Sequence, residues 1–234
     1  VPEGGKVIAV VPAAGLGARL GHGAGKAFVT LLSKPLLVWA LEALQAAGEI
    51  SEIIPVLKES DMEQAAEMVE KYGLGKIKLI APGGPERQDS VLNGLKLIKD
   101  ESSTVLIHDG ARPILEHSLI RQTIEALEGY DGAVAALPAR ETIKETDEKG
   151  IIRKTLKRHA LWAAQTPQVF PYRTIMEACQ EAVQKCFYCT DDSALVERRG
   201  GRVRVVMGSY RNIKITTPED LDVAEMFLKG EGKA

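Results

Sequence analysis

Apolar runs of strand length alternate along this chain with longer stretches whose hydrophobic positions recur every three or four residues. Strand-like runs cover 7–12, 52–57, 76–81, 104–108 and 133–137, and helix-like stretches cover 36–47, 61–72, 88–98 and 116–128. The run Val7-Ile8-Ala9-Val10-Val11 has no polar interruption, as expected of a parallel strand buried on both faces. Alternation of such runs with amphipathic helices predicts a three-layer α/β/α fold, Rossmann-like, around a mostly parallel sheet. Pro35 suits the first turn of its helix and Asp61 an N-cap.

The texture changes after Pro138. Residues 139–158 are charged and β-branched, and an Asp147-Glu148-Lys149-Gly150 turn separates the runs Thr142–Thr146 and Ile151–Thr155. This reads as a protruding two-stranded arm. A hairpin with so few core residues is not stable alone, so it is expected to pack against a second subunit. The rest of the chain, 1–234, is expected to form a single domain. It resumes at Leu161, with helices over 172–185 and 191–199 and strands at 202–207 and 212–216. A last helix begins near Pro218, with Thr217 as cap and Asp220 three residues on.

Composition narrows the function classes. With 26% charged residues and a formal net charge of −2, the chain offers no basic field for nucleic acid. It contains no apolar run of about 18 residues that would span a membrane. Residues 1–6 lack the basic and apolar regions of a signal peptide, so a cytoplasmic location is expected. Cys186 and Cys189 have C-x-x-C spacing, yet no second Cys or His pair stands near them. They read as ordinary reduced cysteines.

Candidate chemistry concentrates after the first strand. Between Gly15 and Gly25 lie five glycines, counting both ends, and the stretch 12–26 carries Arg19 and Lys26 as its formal charges. Glycines let backbone N–H groups turn toward an anion, and the two cations meet charge on a triphosphate. The dinucleotide fingerprint G-x-G-x-x-G fails because Leu20 stands at its third position. A P-loop fails as well, since Leu20 replaces its first glycine and Ala27 its Ser/Thr. What remains, P-A-A-G-x-G-x-R ending in G-K, resembles the pattern of nucleotidyltransferases that open a nucleoside triphosphate at its α-phosphorus.

Two further motifs fall at strand ends on the carboxyl edge of the sheet, where open α/β sheets bind ligands. In Gly83-Gly84-Pro85-Glu86-Arg87-Gln88-Asp89-Ser90 the glycines permit close packing on a flat ring, and Ser90 offers a hydroxyl to a base edge. In His108-Asp109-Gly110-Ala111-Arg112-Pro113 the carboxylate could take ribose hydroxyls or help hold Mg²⁺. Arg112 could pair with it, and His108 reads as a hydrogen-bonded structural histidine, since no G-x-S-x-G elbow occurs. Thr142, Arg158 and Lys214 make a second polar set, with Lys214 placed in a strand between Ile213 and Ile215.

Taken in order, PAAGxGxR…GK, GGxxRxxSVxxGL, HDGARP, ETIK, LWAAQTPQVF, TDDSALVE and NIKITTPEDL closely resemble one family. It is the 2-C-methyl-D-erythritol 4-phosphate cytidylyltransferases of the non-mevalonate isoprenoid pathway, and the likeness runs from about residue 6 to residue 228. The resemblance implies transfer from CTP to a sugar-alcohol phosphate, with Mg²⁺ and a homodimer joined through the arm. It implies catalytic roles for Arg19, Lys26 and Lys214. CTP binding would fall to Pro12, Ala13, Ala14, Gly15, Leu16, Gly17, Gly83, Gly84, Ser90, Asp109 and Gly110, with Asp109 near the metal. Acceptor binding would fall to Thr142, Arg158, Arg112 and Arg211.

Four positions depart from the family pattern. Gly110 replaces an alanine, Glu141 an aspartate, and Arg211 a commonly acidic residue, while Pro85 has no N–H to donate. The Arg211 change keeps a second acceptor in view, ribitol 5-phosphate or another alditol phosphate. A non-catalytic nucleotide-binding protein on the same fold is a further alternative, opposed by the joint presence of Arg19, Lys26 and Lys214.

Overall fold

The computed structural model describes residues 5–15 and 25–230. The chain begins with β1 (Val7–Pro12), β2 (Thr30–Leu31), β3 (Lys34–Pro35), α1 (Leu36–Ala46), β4 (Ile50–Leu57), α2 (Met62–Lys71), β5 (Ala81–Pro82) and α3 (Arg87–Leu95). It continues with β6 (Thr104–Ile107), α4 (His117–Glu125), β7 (Gly132–Pro138), β8 (Lys144–Thr146) and β9 (Ile152–Thr155). Then come β10 (Trp162–Pro171), α5 (Tyr172–Gln184), α6 (Asp192–Arg198), β11 (Val203–Met207) and α7 (Pro218–Gly230).

Seven strands form one sheet in the order β11-β7-β10-β6-β1-β4-β5. β1 runs parallel to β4 and β6, β4 to β5, and β7 to β11, whereas β10 runs against both β6 and β7. Chain order reverses at β1, whose two neighbours come later from opposite sides. That leaves a crevice at its carboxyl end, the switch point at which such sheets bind ligands.

The uninterrupted apolar run of β1 is explained by its two faces. Val7, Ala9 and Val11 pack with α1, α2 and α4 through Leu37, Leu41, Ala65, Met68 and Ile120. Ile8 and Val10 turn the other way, toward Val91 and Leu95 of α3 and Ile175 and Cys179 of α5. Each such side chain contributes about 1.5–3 kcal/mol when fully buried, so a one-residue slip of β1 would exchange the two sets at large cost. A third cluster joins Ala224 of α7 to Leu31, Leu36, Ile114 and Ile215, fixing the segment that precedes α7. Asp220 ties down the start of that helix, its Oδ2 accepting from Thr216 N, Thr216 Oγ1 and Thr217 N at 2.7, 2.7 and 2.9 Å.

Three expectations change. The run 76–81 forms only an Ile53–Ile77 bridge before the two-residue β5, because Lys76, Lys78 and exposed Leu79 offer no second face to bury. The segment 212–216 is not a strand. Asn212 is buried and its Nδ2 donates to Thr166 O at 2.7 Å, while Ile215 N donates to Ala111 O at 2.8 Å, so this backbone crosses the sheet edge instead of extending it. Conversely, residues 162–171 form the ten-residue strand β10, whose register is interrupted between Ala164 and Gln168 around Pro167.

The arm is a hairpin of β8 and β9, paired antiparallel with Glu145 opposite Lys154. Asp147 Oδ1 accepts from Lys149 N and Ile151 N at 3.0 and 2.9 Å, and Gly150 takes φ +78°, which closes the turn. Every residue of both strands is exposed. The three cysteines are free, with Cys179 buried and Cys186 exposed. Among the described residues, no helix is long and apolar enough to cross a membrane.

α3 approaches the sheet closely because Gly94 has no side chain. A Cβ there would lie 2.6 Å from Val10 Cγ1 and 3.0 Å from Val56 Cγ2. Gly94→Val is expected to lower stability by about 1–3 kcal/mol through overpacking, read as a fall in the urea midpoint. An unchanged midpoint would mean that α3 can move away from β1 freely.

Candidate active site

A cavity of about 220 Å³ opens at the carboxyl ends of β1, β5 and β6. Three loops line it: Pro12–Gly15 after β1, Gly84–Arg87 after β5, and Asp109–Ala111 after β6. Among the described residues, Lys26, Ala27, Leu36, Ser90 and Lys214 also line it. Backbone bonds hold the loops together. Ala13 N donates to Val56 O at 2.8 Å, Gly110 N to Pro12 O at 3.1 Å, and Gly83 N to Leu57 O at 2.6 Å. Lys26 opens a short 3-10 turn, Lys26–Phe28, which leaves its side chain at the cavity.

Small residues are required where the loops meet. A Cβ on Gly83 would stand 2.4 Å from Ala14 Cβ, so the β5 loop can lie against the β1 loop only without one. A Cβ on Gly110 would stand 2.7 Å from Leu37 Cδ1 and 3.0 Å from Ala13 Cβ. The glycine that departs from the family's alanine therefore makes room for core packing. Ser90 reaches the cavity, but its hydroxyl donates to Glu86 O at 3.2 Å and accepts from Gly84 N at 3.1 Å. Its first task is to shape the Gly-Gly turn.

The charges form a connected set. Asp109 Oδ1 accepts from Arg87 Nε at 2.9 Å, and Asp109 Oδ2 meets Lys214 Nζ at 2.8 Å and Arg112 Nε at 3.9 Å. Arg87 also forks onto Asp192, Nη1 to Oδ1 at 3.0 Å and Nη2 to Oδ2 at 2.8 Å. Burial pushes the Asp109 carboxyl upward, but Arg87, Lys214 and Arg112 together outweigh it and hold it well below the ordinary carboxylate range. Asp192 goes the other way. Its burial raises it, the single cation Arg87 offsets this only in part, and Asp109 and Asp191 add repulsion.

This arrangement does not fit Asp109 as a direct ligand for Mg²⁺. Both of its oxygens already face cations of the chain, and a divalent ion would share the space with three positive groups. Among the described residues, no group of three or more His, Cys, Asp or Glu could hold a metal ion.

Of the residues singled out in the sequence, Pro12, Ala13, Ala14, Gly15, Lys26, Gly84, Ser90, Asp109, Gly110 and Lys214 meet at the cavity, and Gly83 packs against Ala14 of its wall. Leu16, Gly17 and Arg19 lie outside the described residues. Arg112 is buried and its Nη1 donates to Asn212 O at 2.7 Å, so it braces the segment that carries Lys214. Arg211 does not line the cavity; its Nη2 donates to Phe227 O at 3.0 Å and its guanidinium lies over the Phe227 ring. Thr142 and Arg158 sit on the exposed arm, where Arg158 Nη1 donates to Arg140 O at 2.8 Å.

The model of the family 2-C-methyl-D-erythritol 4-phosphate cytidylyltransferase (IspD) matches residues 7–230. The chain belongs to this family. It is 47% identical to the 2-C-methyl-D-erythritol 4-phosphate cytidylyltransferase of Syntrophus aciditrophicus, over 97% of each chain. It is 45% identical to that of Geotalea uraniireducens, over 96% of this chain and 97% of the relative. Among solved structures, the 4-diphosphocytidyl-2C-methyl-D-erythritol synthase of Anaerococcus prevotii superposes with a TM-score of 0.87 at 32% identity, covering 97% of each chain. The α/β nucleotidyltransferase-like sheet is thus the fold of the family.

Two residues of the charged set, Arg87 and Asp192, were given no role from sequence. They stand 105 residues apart, and each falls inside a recognised motif without a neighbour that reveals its partner. The available signal was Arg87 in the first turn of a helix, where the macrodipole disfavours a cation unless carboxylates hold it.

His108 organises the Asp109 loop. Its Nε2–H donates to Arg112 O at 3.1 Å, which leaves Nδ1 to accept from Thr166 Oγ1 at 3.1 Å, and Thr166 Oγ1 in turn accepts from Asp109 N at 3.0 Å. Complete burial lowers the imidazole to about 4, despite the Arg112 carbonyl and the Asp109 charge. The unfolded chain therefore binds the extra proton first, and stability falls as pH drops from 6.5 toward 4. His108→Gln is expected to lose that part of the slope, at most about 1.4 kcal/mol per pH unit, in urea unfolding across the window. Equal slopes in both proteins would show that His108 takes no part in the acid response.

Proposed function

We propose that this chain transfers the cytidylyl group of CTP to 2-C-methyl-D-erythritol 4-phosphate, giving 4-diphosphocytidyl-2-C-methyl-D-erythritol and pyrophosphate. The observation that carries the reading is the convergence of Lys26 and Lys214 on one glycine-walled cavity, in a chain that belongs to this family. The acceptor phosphate is already an anion, so its attack on the α-phosphorus needs no general base. It needs charge repulsion removed and in-line placement.

Lys26 and Lys214 meet the triphosphate from two sides, and Arg19 joins them from the glycine loop. The backbone of Ala14 and Gly15, which line the cavity, is assigned to the phosphates, and the resemblance gives Leu16 and Gly17 the same role. Gly83, Gly84 and Ser90 frame the base, and Asp109 and Gly110 lie at the ribose. A divalent cation, which the resemblance implies, finds no donor set in the described chain; its ligands are assigned to the nucleotide's own oxygens. Thr142 and Arg158 hold the acceptor across a homodimer, which explains why an exposed hairpin carries them. Both substrates are water-soluble anions, in keeping with a cytoplasmic reaction.

Pyrophosphate release with CTP, Mg²⁺ and either methylerythritol phosphate or ribitol phosphate tests the acceptor. Turnover is expected with the first; preference for the second would move the chain to another alditol phosphate. Arg211, turned onto Phe227, gives no support to that second reading.

Lys26→Ala should lower kcat by about 10²-fold or more with the fold intact, and Arg158→Ala should chiefly raise KM for the acceptor. Mixed dimers of the two variants are expected to recover part of the activity, since one of their sites combines an intact Lys26 with an intact Arg158. Verified heterodimers without recovery would exclude a site shared between subunits.

A further inference from the structure

Asp192 stands behind the site and does not line the cavity, yet it is 1% exposed and forks with Arg87. It is the first residue of α6, but that helix does not need it as a cap. Asp191 fills that role, its Oδ1 accepting from Ala194 N at 3.2 Å. Gln168 anchors the same turn, donating to Asp191 Oδ2 and accepting from Ser193 N, both at 2.9 Å. A buried carboxylate that α6 does not require is a net cost unless it does something for its partner.

Its partner is Arg87. A guanidinium grips a carboxylate best with its fork of two nitrogens. Arg87 gives both terminal nitrogens to Asp192, at 3.0 and 2.8 Å, which leaves only Nε to reach Asp109 Oδ1 at 2.9 Å. Asp109 Oδ2 is therefore open to the Lys214 ammonium at 2.8 Å. Without the Asp192 charge, Arg87 would be drawn to fork onto Asp109, and two cations would compete for one carboxylate. Lys214, with a side chain 40% exposed on a flexible stem, is the weaker competitor.

We propose that Asp192 is a positioning residue for the transfer: by occupying the fork of Arg87 it reserves one oxygen of Asp109 for Lys214 and so holds that ammonium at the cavity. The proposal rests on Lys214 acting on the phosphates, as argued above. It makes Asp192, a residue touching no substrate, a determinant of kcat acting through the lysine.

A double-mutant cycle on kcat separates this from a merely structural role. Asp192→Asn is expected to cost about tenfold when Lys214 is present and less than about twofold in a Lys214→Ala background. Equal factors in both backgrounds overturn the proposal. Lys214→Ala with unchanged turnover is a different failure, since it removes Lys214 from the reaction and the proposal with it. If circular dichroism shows Asp192→Asn unfolded, Arg87→Lys runs the same cycle, because a point charge cannot fork one carboxylate while reaching the other. Non-additivity with Lys214→Ala supports the proposal there, and a multiplicative loss overturns it.

Discussion

A buried carboxylate at the end of a central strand is the constraint on which this site depends. Asp109 is 5% exposed, at the carboxyl end of β6, beside the strand at which chain order reverses. An unpaired charge there would cost several kcal/mol. Three cations answer it, from the start of α3, from the same loop and from the segment before α7. Satisfying one anion thus draws two distant parts of the chain to the loop after β6. The cluster as a whole, Asp192 included, keeps one net positive charge, suited to a polyanionic ligand.

The sheet builds the frame for that cluster. β1, β4 and β6 end at one level because their registers are parallel and side chains on both faces fix them. The loops leaving those ends are joined backbone to backbone, so the cavity walls inherit the order of the core. The arm is built on the opposite principle. Ile151 and Ile152 are 64% and 58% exposed, and its order rests on hairpin bonds and a tight turn. It supplies surface where the sheet supplies geometry.

Much of this was legible along the chain, for identifiable reasons. β1 and the helices α1, α4 and α5 declare themselves because period and burial coincide. β10 does not, since Gln165, Pro167 and Gln168 interrupt its apolar run at the point where its register breaks. Ile213-Lys214-Ile215 imitates strand alternation, but only because Ile215 serves the α7 cluster while Lys214 turns to Asp109. The glycine-rich motif pointed to phosphate chemistry through spacing alone. Arg87 with Asp192 could not be read in this way, because a pairing between carboxylate and guanidinium leaves no periodic trace.

Leu37 fills the space that a side chain at 110 would need, and so ties the cavity wall to the core. A methyl group at 110 is harmless or damaging according to the reach of residue 37, so neither position has an effect of its own. A methyl group at 110 would have to displace the tip of Leu37, so how far that side chain can turn within the core sets its cost.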